Sequence, residues 1–400
     1  MRIAGDIQRF LKVKSSGRLL AALIVYGIGT GILAPMNAVY LREQLSLSKN
    51  EIAAVFAVSL FLNMLLTLAS GFYSDRLRRK KALPMIAAAI CMVGLVLYMR
   101  AQTFGGAMAG MATALAPSGM IMGQLFAMAR NHYRQHAGSI VEMAMLWLRT
   151  GYSVGFFGGL LLGANVYLIA GFGGVLWGNL AGYAGLLLLL LVYREASPPA
   201  SAAAAANREL GEAFSPAMLL AILMLSCADA IRGLYLPLLV NERFGRPAVM
   251  SYLWSAQAVF ELLFMTLAGY WAARFGSARV IALGGACAIA VYAVYAASSP
   301  IGLIFAAQPV YSLFVSVLYG VAMGYVQRMF IRRTGFGASL FVFISQAASL
   351  IGYLLPVAVR GISPAIFLIP AALTLAALLL IAFRLRGLAA GTRQERQTGV

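Results

Sequence analysis

The chain has 400 residues, of which 62% are hydrophobic and 11% charged, with a formal net charge of +19. A soluble domain carries about a quarter charged residues, and one soluble core could not hide this much apolar surface. The apolar runs are long and continuous, which excludes a barrel of alternating segments of about ten residues.

The N-terminus is basic (Arg2, Arg9, Lys12, Lys14, Arg18), and the apolar run behind it is full length. No small-residue cleavage site follows a short apolar region, so the first span is expected to stay in the protein. A crossing needs about 20 apolar residues. On that measure the spans fall at 19–41, 51–73, 83–99, 104–129, 140–164, 172–193, 216–240, 251–272, 280–298, 302–327, 337–359 and 365–383, twelve in all. The chain is thus expected to be an all-α integral membrane protein. Its three cysteines, Cys91, Cys227 and Cys287, fall inside spans and make neither a disulfide framework nor a metal site. His132 and His136 are expected to share a short loop, a poor metal site alone. No metal and no cofactor are expected.

One long connection, residues 194–215, is rich in Ala, Pro and Ser and divides the spans six and six. The expected organisation is an N-terminal half at 1–193, a linker at 194–215 and a C-terminal half with a short tail at 216–400. An even count puts both termini on one side. The segments on that side hold 23 of the 31 Lys and Arg, the opposite loops six, and the spans two, Arg149 and Arg232. By the positive-inside rule, both termini and the linker are cytoplasmic. The bases therefore orient a membrane protein, and a nucleic-acid partner is not expected.

The densest charge cluster lies between spans 2 and 3, where Gly71–Leu83 reads GFYSDRLRRKKAL. An echo, GYWAARFGSAR, follows span 8 at Gly269–Arg279, 198 residues later. The same mark at the same place in two six-span halves implies an internal repeat, as in transporters built from parallel repeats. This pattern resembles the major facilitator superfamily, whose signature here is G-x-x-x-D-R-x-G-R-R-x-x-L. Gly71, Asp75, Arg76, Arg79, Lys80 and Leu83 occupy its places, and Arg78 replaces the second glycine. Within it, LAPMNAVYLRE (Leu33–Glu43), QLFAMAR (Gln124–Arg130), Leu148-Arg149 and Phe260-Glu261 through Ala268-Gly269-Tyr270 are similar to bacterial sugar efflux transporters. The glycine-proline motif of many proton-driven exporters is incomplete: the glycines of span 5 are present, but Phe156 stands where proline is expected.

There is no phosphate-cradling G-x-x-x-x-G-K-[ST] loop, so a gradient rather than ATP is the expected energy source. Charges inside the bilayer are costly and mark function or partners. Glu261, in the apolar run AVFELLF of span 8, reads as proton carrier, sugar-hydroxyl acceptor, or half of a structural ion pair. An apolar surround disfavours the charged carboxylate and favours reversible protonation. Arg149 in span 5 reads as substrate ligand, carboxylate partner or static ion pair. Glu142, two turns earlier, suits gating. Asp229 and Arg232 lie three apart on span 7, where they could form a local pair. Asp229 is otherwise the second proton site.

Asn37, Asn63, Gln124, Gln257 and Gln346 offer donors and acceptors for a sugar, with Trp147, Tyr325, Tyr26, Tyr152 and Trp254 as aromatic platforms or interface anchors. The superfamily resemblance implies a cavity lined by spans 1, 2, 4, 5, 7, 8, 10 and 11. Glycine series at Gly27-Gly29-Gly31, Gly151-Gly155-Gly159 and Gly174-Gly178-Gly182 allow close helix approach. Pro35, Pro117, Pro237 and Pro356 are expected at kinks or span ends. The resemblance also implies a gate at the charged turn. Asp75 would sit at a helix N-terminus, supported by Arg76 and Arg79, while the remaining bases set topology and touch anionic lipid.

The expectation is a secondary transporter of the bacterial inner membrane, not an enzyme, monomeric and surrounded by membrane lipid. It would export sugars or small glycosides against protons by alternating access. A proton-coupled multidrug exporter is the alternative, since 19 methionines and 11% aromatic residues suit adaptable apolar binding. A non-transporting sensor or a lipid-directed enzyme would need an appended domain or a catalytic constellation, neither of which is visible.

Overall fold

The computed structural model describes residues 10, 13, 15–74, 81–137, 141–193, 212–297, 299–330 and 334–398. Among them every regular element is helical. Eleven segments are long and apolar enough to cross a membrane. One of them, Trp147–Val192, has 46 residues, about 70 Å at 1.5 Å per residue, more than twice the roughly 30 Å hydrocarbon core. It lies in a helical run, Val141–Val192, that is interrupted at Gly171, whose φ of 60° and ψ of −159° are not helical. Read as two crossings joined at that glycine, the segment accords with twelve spans. Gly171 meets nothing within 4 Å, so its role is conformational rather than steric.

Helix starts follow ordinary capping chemistry. Ser48 opens span 2 (Lys49–Ser74) with a capping box. Its hydroxyl accepts from the Glu51 amide at 3.3 Å, and its own amide donates to Glu51 Oε2 at 2.8 Å. Ser215 caps span 7 (Pro216–Phe244) by accepting from the Met218 amide, with Pro216 in the first turn. Prolines interrupt some spans and not others. Span 1 breaks between Ser16–Leu33 and Asn37–Gln44 at Pro35, and span 4 breaks between Phe104–Leu115 and Ser118–His136 at Pro117. Pro237 stays inside span 7 without a break, and Pro356 lies in a 3-10 turn that ends span 11.

One loop expectation fails. His132 and His136 are both helical, on Ser118–His136. The helix runs beyond the apolar stretch because its polar end is held by tertiary contacts. His132 is buried, its Nδ1 pairs with the Tyr193 hydroxyl at 3.2 Å, and its ring stacks on His136 at 4.5 Å.

The chain forms two compact units, Met1–Ala205 with Arg246–Tyr252, and Ala206–Gly245 with Leu253–Val400. In the first, spans 1 and 5 meet backbone to backbone. A Cβ on Gly155 would come within 2.2 Å of the Ile24 carbonyl, and one on Gly159 within 2.3 Å of the Ile28 carbonyl. Reciprocally, Gly27 and Gly31 face the carbonyls of Tyr152 and Phe156 at 2.4 and 2.3 Å. Gly182 of span 6 packs on Gly29 in the same way. In lipid, where apolar side chains gain little by leaving apolar solvent, such close approach is a main source of helix association.

In the second unit span 10 is compound. Ile301–Ala306 and Gln308–Ser316 lead into a π-helical segment, Val317–Ala322, and then Met323–Met329. The π segment is where the unit's functional candidates converge.

Candidate functional site

Asp229 lies on span 7, half-buried. Two tyrosine hydroxyls from span 10 donate to it: Tyr311 to Oδ1 at 2.6 Å and Tyr319 to Oδ2 at 2.7 Å. At 100° per residue, eight positions along a regular helix leave two side chains about 80° apart around the axis. The wider π turn rotates less per residue and brings Tyr319 toward the face that carries Tyr311. Single π turns are frequent at functional sites, and here one lets a single span clamp both oxygens of one carboxylate.

Arg232, one turn on, makes no ion pair with Asp229. Its guanidinium donates to Gln308 Oε1 at 2.8 Å and lies over the Tyr311 ring at 4.3 Å, with Trp254 at 6.0 Å. Gln308 is fixed in turn, donating to the Tyr295 hydroxyl at 3.1 Å and the Ile304 carbonyl at 2.7 Å. Arg232 is 3% exposed, and its Nε has no hydrogen-bond partner among the described residues. The carboxylate and guanidinium are therefore separated by an aromatic ring rather than neutralised by contact. A buried charge of this kind is tolerated only with partners, and each has them.

Span 8 (Ala248–Phe275) completes the cluster. Ser312 donates to the Gln257 carbonyl at 2.8 Å, and Ser316 to the Glu261 carbonyl at 3.0 Å, locking spans 8 and 10 together. The side-chain oxygen of Gln257 and the indole N–H of Trp254 are buried without partners among the described residues. Glu261 is half-buried on the same helix, within electrostatic reach of Tyr319. Gln346 is half-buried on span 11. Tyr325 is buried lower on span 10, where Arg384 of span 12 donates to its hydroxyl and lies over its ring at 5.4 Å.

The polar candidates of the first unit are more scattered. Asn37 accepts from the Tyr98 hydroxyl at 2.8 Å, in a cluster where Tyr98 meets Tyr40 at 5.0 Å. Asn63 serves the Pro117 break: its amide donates to the freed carbonyls of Leu115 and Ala116 at 2.9 and 3.1 Å. Gln124 is buried with an unpartnered oxygen. Trp147 lines an apolar recess of about 250 Å³ with Phe10, Leu20, Ile24, Thr150 and Val154. Arg149 is exposed and has no hydrogen bond or ion pair with a described residue. A second tyrosine cluster joins Tyr26 to Tyr152 and Tyr183 at 5.9 and 6.0 Å, with Tyr26 donating to the Ser118 carbonyl at 3.2 Å. Asp75, Arg76 and Arg79 lie outside the described residues, as does the side chain of Glu142.

Within the second unit the structure brings Asp229, Glu261 and Gln257 into one cluster, and within the first Arg149, Asn37 and Asn63 share no partner with one another. Sequence reasoning missed Tyr311, Tyr319, Tyr292, Tyr295 and Gln308. Gln308 carried the available signal, a lone amide in an apolar run just ahead of Pro309.

Two compact units of membrane-spanning helices, one holding a carboxylate and a guanidinium on either side of a tyrosine, are the anatomy of a secondary transporter. The family model described as Major Facilitator Superfamily matches residues 19–256, and the chain belongs to that superfamily. It is a multi-pass membrane transporter of small molecules, not an enzyme. A Deinococcus radiodurans protein described as "Putative sugar efflux transporter" is 26% identical over 371 residues, covering 90% of this chain and 95% of the relative. Among solved structures, the nucleoside transporter NupG superposes with a TM-score of 0.75 at 15% identity, covering 91% of this chain and 97% of that one. A POT family transporter in complex with a thioalcohol-conjugated peptide gives 0.74 at 12% identity, covering 92% and 96%. At those identities the solved structures establish the fold alone.

Proposed function

We propose that this protein exports sugars or small glycosides across the bacterial inner membrane in exchange for protons. It works as a monomer among membrane lipids, with both termini cytoplasmic. The sequence likeness to a protein described as a sugar efflux transporter supports the substrate class. The positive-inside bias supports the orientation.

The observation that carries the proton reading is Asp229. It is a half-buried carboxylate that two hydroxyls serve and that no cation among the described residues contacts. A carboxylate in an ion pair is held ionised by its partner. One held by neutral hydroxyls keeps its hydrogen bonds in either charge state, because a tyrosine oxygen accepts as readily as its proton donates. Intramembrane acids of this kind mark proton paths. Glu261 is the second acid of the cluster, and Arg232, Gln257 and Trp254 are the hydroxyl-binding groups beside it. Arg149, Asn37, Asn63, Gln124, Gln346, Trp147 and Tyr325 remain proposed substrate contacts, and Asp75, Arg76, Arg79 and Glu142 a proposed gate.

The test uses purified protein in liposomes loaded with a pH-sensitive dye, under an imposed pH gradient. Lactose is expected to drive proton flux that Asp229→Asn abolishes. Proton flux driven by lipophilic cations and not by any of a panel of mono- and disaccharides would replace sugar export with drug export.

A further inference from the structure

Tyr311 touches both charged groups at the centre of span 7, Asp229 and Arg232. Its hydroxyl donates to Asp229 at 2.6 Å, and its ring carries the Arg232 guanidinium at 4.3 Å. It also has a further hydroxyl neighbour, Tyr292, at 3.4 Å. Tyr319, the other donor to Asp229, has no second hydroxyl partner among the described residues. We infer that Tyr311 transmits the charge state of Asp229 to Arg232, so that a proton and a substrate exclude one another within this cluster. The inference rests on the reading of Asp229 as the proton site.

The hydrogen-bond inventory dictates the direction. An ionised carboxylate accepts from both tyrosines, and Tyr292 then gives its proton to Tyr311. A protonated carboxyl keeps one good acceptor and gains one donor. It cannot accept well from both hydroxyls. Tyr319 has no other hydrogen-bond partner among the described residues, so it keeps the carbonyl oxygen. Tyr311 instead accepts from the carboxyl and turns its own proton to Tyr292. The chain of three groups reverses without any of them leaving the cluster.

That reversal acts on Arg232. A phenol donating to an anion is electron-rich, and a cation over its face is held by the negative ring face. When Tyr311 becomes an acceptor, its ring loses that character, and the nearby carboxylate charge disappears at the same step. Arg232 then keeps Gln308, Tyr295 and the more distant Trp254 ring, without the electron-rich face of Tyr311. With Asp229 ionised, Arg232 is fixed by ring and amide, and its unpartnered Nε is free to donate to a ligand hydroxyl beside Trp254 and Gln257. Protonation loosens that donor. The ionised pair is neutral overall, which suits an uncharged hydroxylated ligand better than an organic cation.

The other groups facing the pair are accounted for. Tyr292 and Tyr295 approach from span 9, Tyr319 from span 10 and Tyr353 from span 11, while Glu261 of span 8 lies beyond Tyr319. Among these, Glu261 is the one group that is an acid.

The test needs no substrate. In full-length protein retaining Trp254 as its sole tryptophan, indole emission reports Arg232, and the carboxyl band in infrared difference spectra reports Asp229. In the parent both are expected to change over one pH range, and Asp229→Asn removes the carboxyl band. Tyr311→Phe keeps the ring and is expected to retain the carboxyl band while losing most of the pH-dependent emission change. Emission that still follows the band in this variant would overturn the role of Tyr311. A carboxyl band unaltered by Asp229→Asn would instead remove the proton reading beneath it. Should Tyr311→Phe fail to fold, Tyr292→Phe serves. It deprives the protonated state of its acceptor, so the emission change is expected at lower pH, and an unmoved midpoint would overturn the inference.

Discussion

Spans 1 and 5 of the first unit and spans 7 and 10 of the second meet the same problem, holding helices together in lipid, by different means. The first pair excludes side chains: Gly27, Gly31, Gly155 and Gly159 place backbone against backbone. The second fills the space between helices with Asp229, Arg232, Gln308 and three tyrosines, nearly all of whose polar atoms are satisfied. Glycine contact is insensitive to pH and has one arrangement. A polar network has as many arrangements as its protons allow. The second unit is therefore the one equipped to respond to a proton, although span 7 also keeps one tight contact, where a Cβ on Gly352 of span 11 would come within 2.8 Å of the Cys227 carbonyl.

The sharpest break of the comparison lies in adjacent residues. Gly159→Val drives methyl groups into the Ile28 carbonyl and is expected to cost at least about 1–3 kcal/mol, whereas Gly158, with nothing within 4 Å, should accept valine within about 0.5 kcal/mol. Thermal unfolding in detergent measures both, and equal effects would end the backbone-contact account. In the second unit, Asp229→Asn is expected to lower proton-driven transport at least about tenfold, equivalent to about 1.4 kcal/mol, with the melting temperature in detergent little changed. A large fall in melting temperature as well would make Asp229 a structural residue.

Smaller effects test how far the division extends. Asn63→Ala strands the Ala116 carbonyl at the Pro117 break, leaves that of Leu115 to the Ser118 hydroxyl, and should cost about 1–3 kcal/mol in stability. A transport defect at an unchanged melting temperature would mean that Asn63 serves the substrate alone and not the break. Smallest is Arg328→Ala. Arg328 meets Glu212 at 3.8 Å, both about one-third exposed, and such a pair contributes about 0–1 kcal/mol. A larger loss in melting temperature would mean that its 2.6 Å bond to Ser277 carries the end of span 10.

The spans were legible because apolar runs end at charges, and Asp229 and Glu261 were legible because an acid inside such a run has few innocent explanations. The network around Asp229 was not. Tyr311 and Tyr319 read as ordinary aromatics of an apolar helix, and their spacing of eight points away from a shared carboxylate unless a π turn intervenes. Nor does helical periodicity reveal that Arg232 turns to Gln308, 76 positions away, rather than to its neighbour. The extension of span 4 through His132 and His136 was hidden for a related reason. It depends on Tyr193, which arrives from span 6.

The π segment has one more consequence, for how the sequence tolerates insertion and deletion. A π turn holds one residue more than the α-helical phase requires. Removing one residue between Val317 and Ala322 would restore α phase with the flanking helices still in register, so Tyr325 would keep its side of the span toward Arg384. Tyr319, inside the turn, would lose the slower rotation that brings it to the face of Tyr311 and would leave Asp229, with no change in composition worth noticing. The length of this stretch, more than the identity of most residues in it, sets the register in which the carboxylate is read.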